Sequence, residues 1–150
     1  MAAIDTVDSI EIRADASRIF GLIADYSQFH TWFPNYRCVL LEAGATGPVH
    51  AGSRVEHIIG KPPAVIRFIR TVRKVVPGLR LEETYDEGPM RGTGIWSFQQ
   101  KGEVTTVSYH CAVSAQSLMF KLVFLLSGPR THNMTYQKIL RALKQRCENG

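Results

Sequence analysis

The 150-residue chain has the size of one domain, and its contents of 45% hydrophobic and 21% charged residues favour a globular fold over residues 1–150. No apolar run reaches the ~18 residues that a membrane-spanning helix needs, and the acidic start at Asp5 does not resemble a signal peptide. The three cysteines lack the spacing of a disulfide framework, which favours reduced thiols. We therefore expect a cytoplasmic protein.

The net charge of +5 raises nucleic-acid binding as an alternative. Phosphate binding requires basic side chains gathered on one exposed face. Here the densest basic group lies in a strand-like stretch among Val and Ile, so we expect it to form mostly a solvated sheet face. A nucleic-acid partner is not expected. The group consists of Arg67, Arg70, Arg73, Lys74 and Arg80.

The N-terminal quarter predicts a strand followed by two short helices. Apolar and charged residues alternate over 7–14, as in a half-buried strand. Asp15 has a side chain suited to capping the next helix. A second helical turn is expected from Asp25 to Pro34, where the proline prevents continuation. The first helix has an apolar stripe made of Ile19, Phe20 and Ile23.

Six further strands follow, separated by short turns rich in Gly and Pro, which predict antiparallel hairpins. Their expected bounds are Tyr36–Ala43, Ser53–Ile59, Val65–Val76, Leu79–Asp86, Arg91–Gln100 and Val104–Ser114. The C-terminal part is helical in pattern. An almost wholly apolar segment spans 118–126, and an amphipathic helix is expected from Arg130 to Arg146. This order predicts a curved sheet wrapped around a helix.

Turn length and alternation together predict the register of the hairpins. A tight turn at Pro77-Gly78 places Val72 opposite Glu83 and Arg70 opposite Tyr85. The next two turns carry the same inward face to the two strands that follow. In an earlier strand, His57 is expected inward with Val55 and Ile59. The predicted inner face of the hairpins consists of Ile66, Phe68, Arg70, Val72, Leu79, Leu81, Glu83, Tyr85, Gly92, Gly94, Trp96, Phe98, Val107, Tyr109, Cys111 and Val113.

Two features of this inner face are unusual for a core. Gly92 and Gly94 contribute no side chain, which indicates a void, a close backbone approach, or simply a bulge or twist. Arg70 and Glu83 point inward on adjacent strands, where a buried charge needs a partner. They either form a structural salt bridge or orient a polar group of a ligand.

Six segments follow one another in an order and spacing that a known superfamily shares. They are Ile10-Glu11-Ile12-Arg13-Ala14, Ile19-Phe20 to Asp25-Tyr26, Trp32-x-Pro34, Val75-Val76-Pro77-Gly78-Leu79-Arg80-Leu81, Gly94-Ile95-Trp96-Ser97-Phe98 and Thr105-Thr106-Val107-Ser108-Tyr109. Over essentially the whole chain the sequence resembles the SRPBCC superfamily, which groups START lipid-transfer domains, the birch-pollen-allergen fold and polyketide cyclase/dehydrase-like proteins.

The resemblance implies an α+β helix-grip fold. In that fold a seven-stranded antiparallel sheet grips a long C-terminal helix, two short helices follow strand 1, and a hydrophobic cavity lies between sheet and helix. It implies binding of an apolar small molecule such as a lipid, polyketide or quinone. It carries over no catalytic residues, because the fold is shared by enzymes and non-enzymes.

Three functions remain open from the sequence. The first is a carrier or sensor of an apolar ligand. The second is a cyclase or dehydratase, for which the acid/base candidates are Glu83, Tyr85 and Arg70. The third is a protein- or RNA-interaction module. The ligand-binding candidates are Trp32, His57, Phe68, Arg70, Glu83, Tyr85, Trp96, Phe98, Tyr109, Cys111, Phe120 and Tyr136.

Neither a metal nor a cofactor is expected. No histidine or cysteine pair has metal-ligand spacing, and neither a phosphate loop nor a nucleophile elbow occurs. The 118–126 segment is interpreted as a short helix that covers the cavity, with a mobile lid or transient membrane contact as the alternatives. The oligomeric state is left open.

Overall fold

The computed structural model describes residues 4–42, 47–119, 121–122 and 128–149. Besides the helical residues 118, 119, 121 and 122, the described ranges hold seven strands, two longer α-helices and one 3-10 helix between α1 and β2. Their bounds are β1 Ile4–Ile12, α1 Ala16–Ala24, the 3-10 helix Tyr26–Thr31, β2 Tyr36–Leu40, β3 Arg54–Lys61, β4 Ala64–Val76, β5 Arg80–Glu87, β6 Met90–Lys101, β7 Val104–Ala115 and α2 Gly128–Asn149.

The strands form one antiparallel sheet in the order β1-β7-β6-β5-β4-β3-β2. Neighbours from β2 to β7 are consecutive in the chain, and β1 pairs with β7. Helix α2 lies against the inner face, where its Tyr136 ring stacks on Tyr109 at 4.2 Å and its Gln137 side chain donates to Asp8 on β1. This arrangement confirms the predicted α+β helix-grip fold.

The start of α1 is capped differently from the prediction. Asp15 occupies the N-cap position, but its side chain makes no capping hydrogen bond. Its Oδ1 instead accepts from Nε2 of Gln100 on β6 at 3.0 Å, and Oε1 of Gln100 accepts the N–H of Ala16 at 2.9 Å. The side-chain amide of Gln100 therefore accepts the free N–H at the start of α1, while the Asp15 carboxylate is hydrogen-bonded to the same amide. The preceding strand is also shifted, since β1 ends at Ile12.

The predicted register is confirmed at the centre of the sheet. Arg70 pairs with Tyr85 and Val72 with Glu83, and the parity continues to β7, where Tyr109 pairs with Trp96. A register shift between Val72 and Lys74 interrupts the hairpin near its turn.

Two residues of the predicted inner face are wrongly placed by the sequence pattern. Leu79 is 59% exposed, because it lies in the turn before β5 and beyond the register shift. Ile66 is 41% exposed. The end of β5 at Glu87 pairs with Ile69, so no β5 residue flanks Ile66 on that side. Alternation does not encode where the strands end.

Three exposed basic side chains on the opposite, outer face are paired with acids. Carboxylates lie within 4.0 Å of Arg67, Arg73 and Arg80, whereas Arg70 is buried on the inner face. The acidic partners are Glu56, Asp86 and Glu82 respectively. This pairing is what a solvated sheet face shows.

The predicted 118–126 segment is described only in part. Residues 118, 119, 121 and 122 are helical, while Phe120 and residues 123–126 lie outside the described residues. Leu118, Met119 and Leu122 are exposed apolar side chains. Within the described ranges, no helix combines the length and apolar character needed to cross a membrane.

Candidate ligand-binding site

Arg70 lies at the centre of a buried polar group on the inner face. Its Nη1 donates to Tyr109 Oη at 2.7 Å and to Tyr85 Oη at 3.3 Å. Its Nη2 donates to Tyr36 Oη at 3.3 Å. We call this set of side chains the Arg70 cluster. Its members are Tyr26, Tyr36, His57, Arg70, Glu83, Tyr85 and Tyr109, none of which is more than 3% exposed.

Five strands and the 3-10 helix supply the Arg70 cluster. Inward alternation on β2, β3, β4, β5 and β7 directs one or two polar side chains from each strand to the same point of the inner face. The glycine at position 94 on β6 makes room for them. A Cβ there would lie 2.2 Å from the Tyr109 hydroxyl. Gly94 thus permits a close approach, and the Tyr109 ring occupies the space that the sequence left open as a void.

Glu83 is the only carboxylate of the Arg70 cluster. Its Oε1 accepts from Tyr26 Oη at 2.6 Å, and its Oε2 lies 3.6 Å from Nε of Arg70. Oε2 has no hydrogen-bond partner among the described protein atoms. Burial raises the pKa of Glu83, and this effect exceeds the lowering by Arg70 and by the Tyr26 hydroxyl. The Arg70–Glu83 pair that the sequence predicted is therefore present, but its carboxylate is incompletely satisfied.

His57 is a neutral imidazole in this setting. Burial lowers its pKa well below the usual value, and the adjacent Arg70 charge lowers it further. Its Nε2 accepts from Arg70 Nε at 3.1 Å, and its Nδ1 lies 2.9 Å from Tyr36 Oη and 3.1 Å from Arg70 Nη2. The ring also stacks on Phe68, with 5.2 Å between the centroids.

The phenols of the Arg70 cluster are neutral donors. Burial raises the pKa of Tyr26, Tyr36, Tyr85 and Tyr109 well above the usual value. Burial opposes the charge of Arg70, but Glu83 and the phenols raise the pKa of its guanidinium. The arrangement therefore offers one fixed cation, several hydroxyl donors and one carboxyl group whose proton is held more tightly than usual. Such groups can bind an oxygen of a ligand or exchange a proton with it.

Aromatic and sulfur-bearing side chains surround this polar centre. Trp96 lies 4.6 Å from the Tyr109 ring and 6.2 Å from that of Tyr136, and its Nε1 has no described hydrogen-bond partner. Cys111 Sγ lies 3.7 Å from Tyr85 Oη. The structure thus brings together nine of the twelve ligand-binding candidates: His57, Phe68, Arg70, Glu83, Tyr85, Trp96, Tyr109, Cys111 and Tyr136.

The other three candidates are placed differently. Phe98 packs edge-on against Phe20 of α1, with the ring centroids 5.5 Å apart. The Trp32 ring is tilted against that of Phe29 at 4.2 Å, and Phe29 lies between it and Tyr36 of the Arg70 cluster. Trp32 also lines a surface depression of about 330 Å³ beside the C-terminal end of α2. Phe120 lies outside the described residues.

Sequence reasoning missed Tyr26 and Tyr36. Tyr26 lies on a 3-10 helix, which has no regular apolar period that would orient it. Tyr36 begins β2, whose connection to β3 is too long for a turn to fix the register. The inward direction predicted for His57 was the one signal that could have pointed to Tyr36, because a buried imidazole needs hydrogen-bond partners. In the structure Tyr36 and Cys38 both contact its Nδ1.

The seven-stranded sheet and the C-terminal helix α2 define a helix-grip domain. The chain belongs to the family described as polyketide cyclase/dehydrase and lipid transport, whose model matches residues 3–148. No curated protein matches it in sequence.

Solved structures of low sequence identity share the fold. TTHA0849 from Thermus thermophilus aligns with a TM-score of 0.78 at 16% identity, over 95% of this chain and 96% of that one. A START superfamily protein from Mycobacterium smegmatis aligns at 0.69 and 17% identity over 97% of both chains. The di-domain ARO/CYC StfQ of the steffimycin biosynthetic pathway aligns at 0.75 and 12% identity, over 97% of this chain and 51% of that chain.

Proposed function

We propose that this protein binds an apolar small molecule at the inner face of the sheet and that the Arg70 cluster holds one polar group of that molecule. The observation that carries the proposal is the fully buried guanidinium surrounded by phenols on an otherwise aromatic face. Ligand sites are typically apolar with a few converging polar groups. Family membership supports a hydrophobic ligand such as a lipid, polyketide or quinone.

The energetics argue against a purely stabilising role for the Arg70 cluster. Replacing a buried ion pair by apolar residues of similar volume is often neutral or stabilising by about 1–4 kcal/mol. A domain that needed only stability would therefore do as well with an apolar core here. Glu83 Oε2 and Trp96 Nε1 support the same view, since neither has a hydrogen-bond partner among the described residues and buried polar atoms in that state are rare in proteins.

A ligand titration tests this proposal. The probes are oleate, menadione and 1,8-dihydroxyanthraquinone, with anthracene as the ligand that has no polar group. Native mass spectrometry gives the stoichiometry, and methyl NMR locates the contact through Val72 and Leu81, which are buried on the inner face. We expect one equivalent of at least one polar probe to bind and to shift these methyl signals, and anthracene to bind about tenfold more weakly.

Matched variants separate the inner face from general charge effects. The Arg70→Met/Glu83→Gln double variant removes the buried pair, whereas Arg73→Met/Asp86→Asn removes an exposed pair on the outer face. Only the first should weaken probe binding. Absence of binding across the panel, or equal loss in both variants, contradicts the proposal.

A second candidate function is acid/base catalysis of the cyclase or dehydratase kind. It is favoured by Glu83, whose raised pKa and short hydrogen bond to Tyr26 suit a group that exchanges a proton. In this case the ligand is a substrate whose carbonyl oxygen is held by Arg70. Glu83→Gln should then abolish turnover of a polyketide-like substrate while the substrate still binds. Unchanged turnover removes Glu83 from the mechanism, and absence of turnover in the unmodified protein leaves binding as the function.

A further inference from the structure

The outer face of the sheet has a cavity at its β2 edge, with a volume of about 420 Å³. This is within the size range of small-molecule sites. Its walls come from the 3-10 helix, β2, β3, β4 and the turn between β3 and β4. We call it the outer pocket. The described lining residues are His30, Pro34, Asn35, Arg37, Ile58, Gly60, Lys61, Pro62, Val65 and Arg67.

The sheet register places two arginines on either side of an apolar floor. Arg37 pairs with Ile58, and Ile58 pairs with Arg67, so the three form one row across β2, β3 and β4. The backbones of β2 and β4 are two strand spacings apart, about 10 Å. Ile58 points away from the inner face, yet it is only 8% exposed. The row therefore forms an apolar surface between two cationic side chains.

The charge of the outer pocket is one-sided. Arg37, Lys61 and Arg67 carry three positive charges, and none of the described lining residues is acidic. The nearest described carboxylate is Glu56, which lies outside the lining at 4.0 Å from Nη1 of Arg67. Arg73 and Arg80 on the same face have acidic partners at shorter distances. The described lining of the outer pocket therefore carries a net positive charge.

Backbone contacts hold the open end of the outer pocket in place. Asn35 adopts a positive φ of 68°, which asparagine tolerates better than most residues. Its carbonyl oxygen accepts the N–H of Gly60 at 2.9 Å and so joins the start of β2 to the end of β3. Gly60 itself has a φ of 105°, in the region that favours glycine.

We infer that the outer pocket binds a small organic anion. A carboxylate or phosphate group lies between the guanidinium groups of Arg37 and Arg67, where charge-assisted hydrogen bonds are strong. The flat apolar body of the ligand packs on Ile58 and Val65, and Lys61 adds positive charge at the end of the cavity. This site is separate from the Arg70 cluster, because its side chains point to the opposite face of the sheet.

The test uses 2-naphthoate and its neutral analogue 2-naphthalenemethanol, followed by methyl NMR. We expect 2-naphthoate to shift the Ile58 and Val65 methyl signals while those of the buried inner residue Val72 stay unchanged. Arg37→Gln/Arg67→Gln should weaken binding at least about tenfold. Arg73→Gln/Arg80→Gln removes the same charge from the same face and should leave the affinity within about twofold.

Several results would overturn this inference. Shifts confined to the inner methyl signals would place the anion at the Arg70 cluster. Equal weakening by both double variants would reduce the effect to net charge. Binding of 2-naphthalenemethanol as tight as that of 2-naphthoate would show that the cations contribute nothing. Binding at the inner face is followed through Val72 and Leu81, and binding at the outer pocket through Ile58 and Val65. The two proposals can therefore be refuted independently.

Discussion

Replacing Arg70 by methionine removes the charge at the centre of the Arg70 cluster and keeps a long side chain in its place. Glu83 then loses the guanidinium at 3.6 Å, and Tyr109 loses a donor at 2.7 Å. Removing one partner of a buried pair leaves the other charge uncompensated, which lowers the free energy of unfolding by about 3–5 kcal/mol. Glu83→Gln alone should destabilise for the same reason, since it leaves the buried guanidinium without its counter-ion.

The double variant Arg70→Met/Glu83→Gln removes both charges together. Its loss of stability should therefore be smaller than the sum of the single losses by about 2–3 kcal/mol. Urea unfolding at pH 7 measures all four proteins, with tryptophan fluorescence as the signal because the Trp96 ring lies 4.6 Å from that of Tyr109. If the losses add to within about 0.5 kcal/mol, the two residues are not energetically coupled and the reasoning is refuted.

Three further predictions concern single residues. Burial lowers the pKa of His57, so below about pH 6.5 the unfolded chain binds a proton that the folded protein does not. The contribution of His57 to the free energy of unfolding should therefore fall by up to about 1.4 kcal/mol for each unit by which the pH decreases. The urea stability difference between wild type and His57→Gln, taken from pH 7.5 to 5.5, should follow this slope, and a constant difference would contradict it. Gly94→Ala forces a neighbouring phenol to move and should lower stability by about 1–3 kcal/mol, whereas Gly21→Ala, with open space in α1, should raise it by about 0.5–1 kcal/mol in thermal unfolding. Gln100→Ala should lower the free energy of unfolding by about 1 kcal/mol and Asp15→Ala by less in the same assay, since the glutamine amide accepts the first N–H of α1. A larger loss for Asp15→Ala than for Gln100→Ala would show that the aspartate caps the helix.

Short turns explain why so much of the inner face was predictable. Between β4 and β7 every connection is a tight hairpin, so an assumed turn at each hairpin places the residues of the next strand by parity. The predicted facing of Arg70, Glu83, Tyr85, Trp96 and Tyr109 follows from this. The register shift near Lys74 did not spoil the result, because Val76 pairs with Arg80 at the turn, one residue away from the assumed register, and the shift restores the predicted pairing of Val72 with Glu83.

The remaining contacts depend on parts of the chain where parity gives no information. Tyr26 lies on a 3-10 helix, and Tyr36 follows an irregular connection, so neither could be assigned to the Arg70 cluster from the pattern. The exposure of Ile66 and Leu79 reflects where strands end, which alternation does not encode. Ile58 shows the converse, since an outward-facing residue is buried by the walls of the outer pocket.

A crystal structure of the protein with 1,8-dihydroxyanthraquinone tests the central claim most directly, because it locates the polar atoms of the ligand. The proposal predicts a ligand oxygen within about 3.2 Å of Arg70 Nη1 or Nη2, or of a phenol of the Arg70 cluster, with the rings against Trp96. A ligand bound only at the outer face, with the Arg70 cluster unchanged on the inner face, would contradict it.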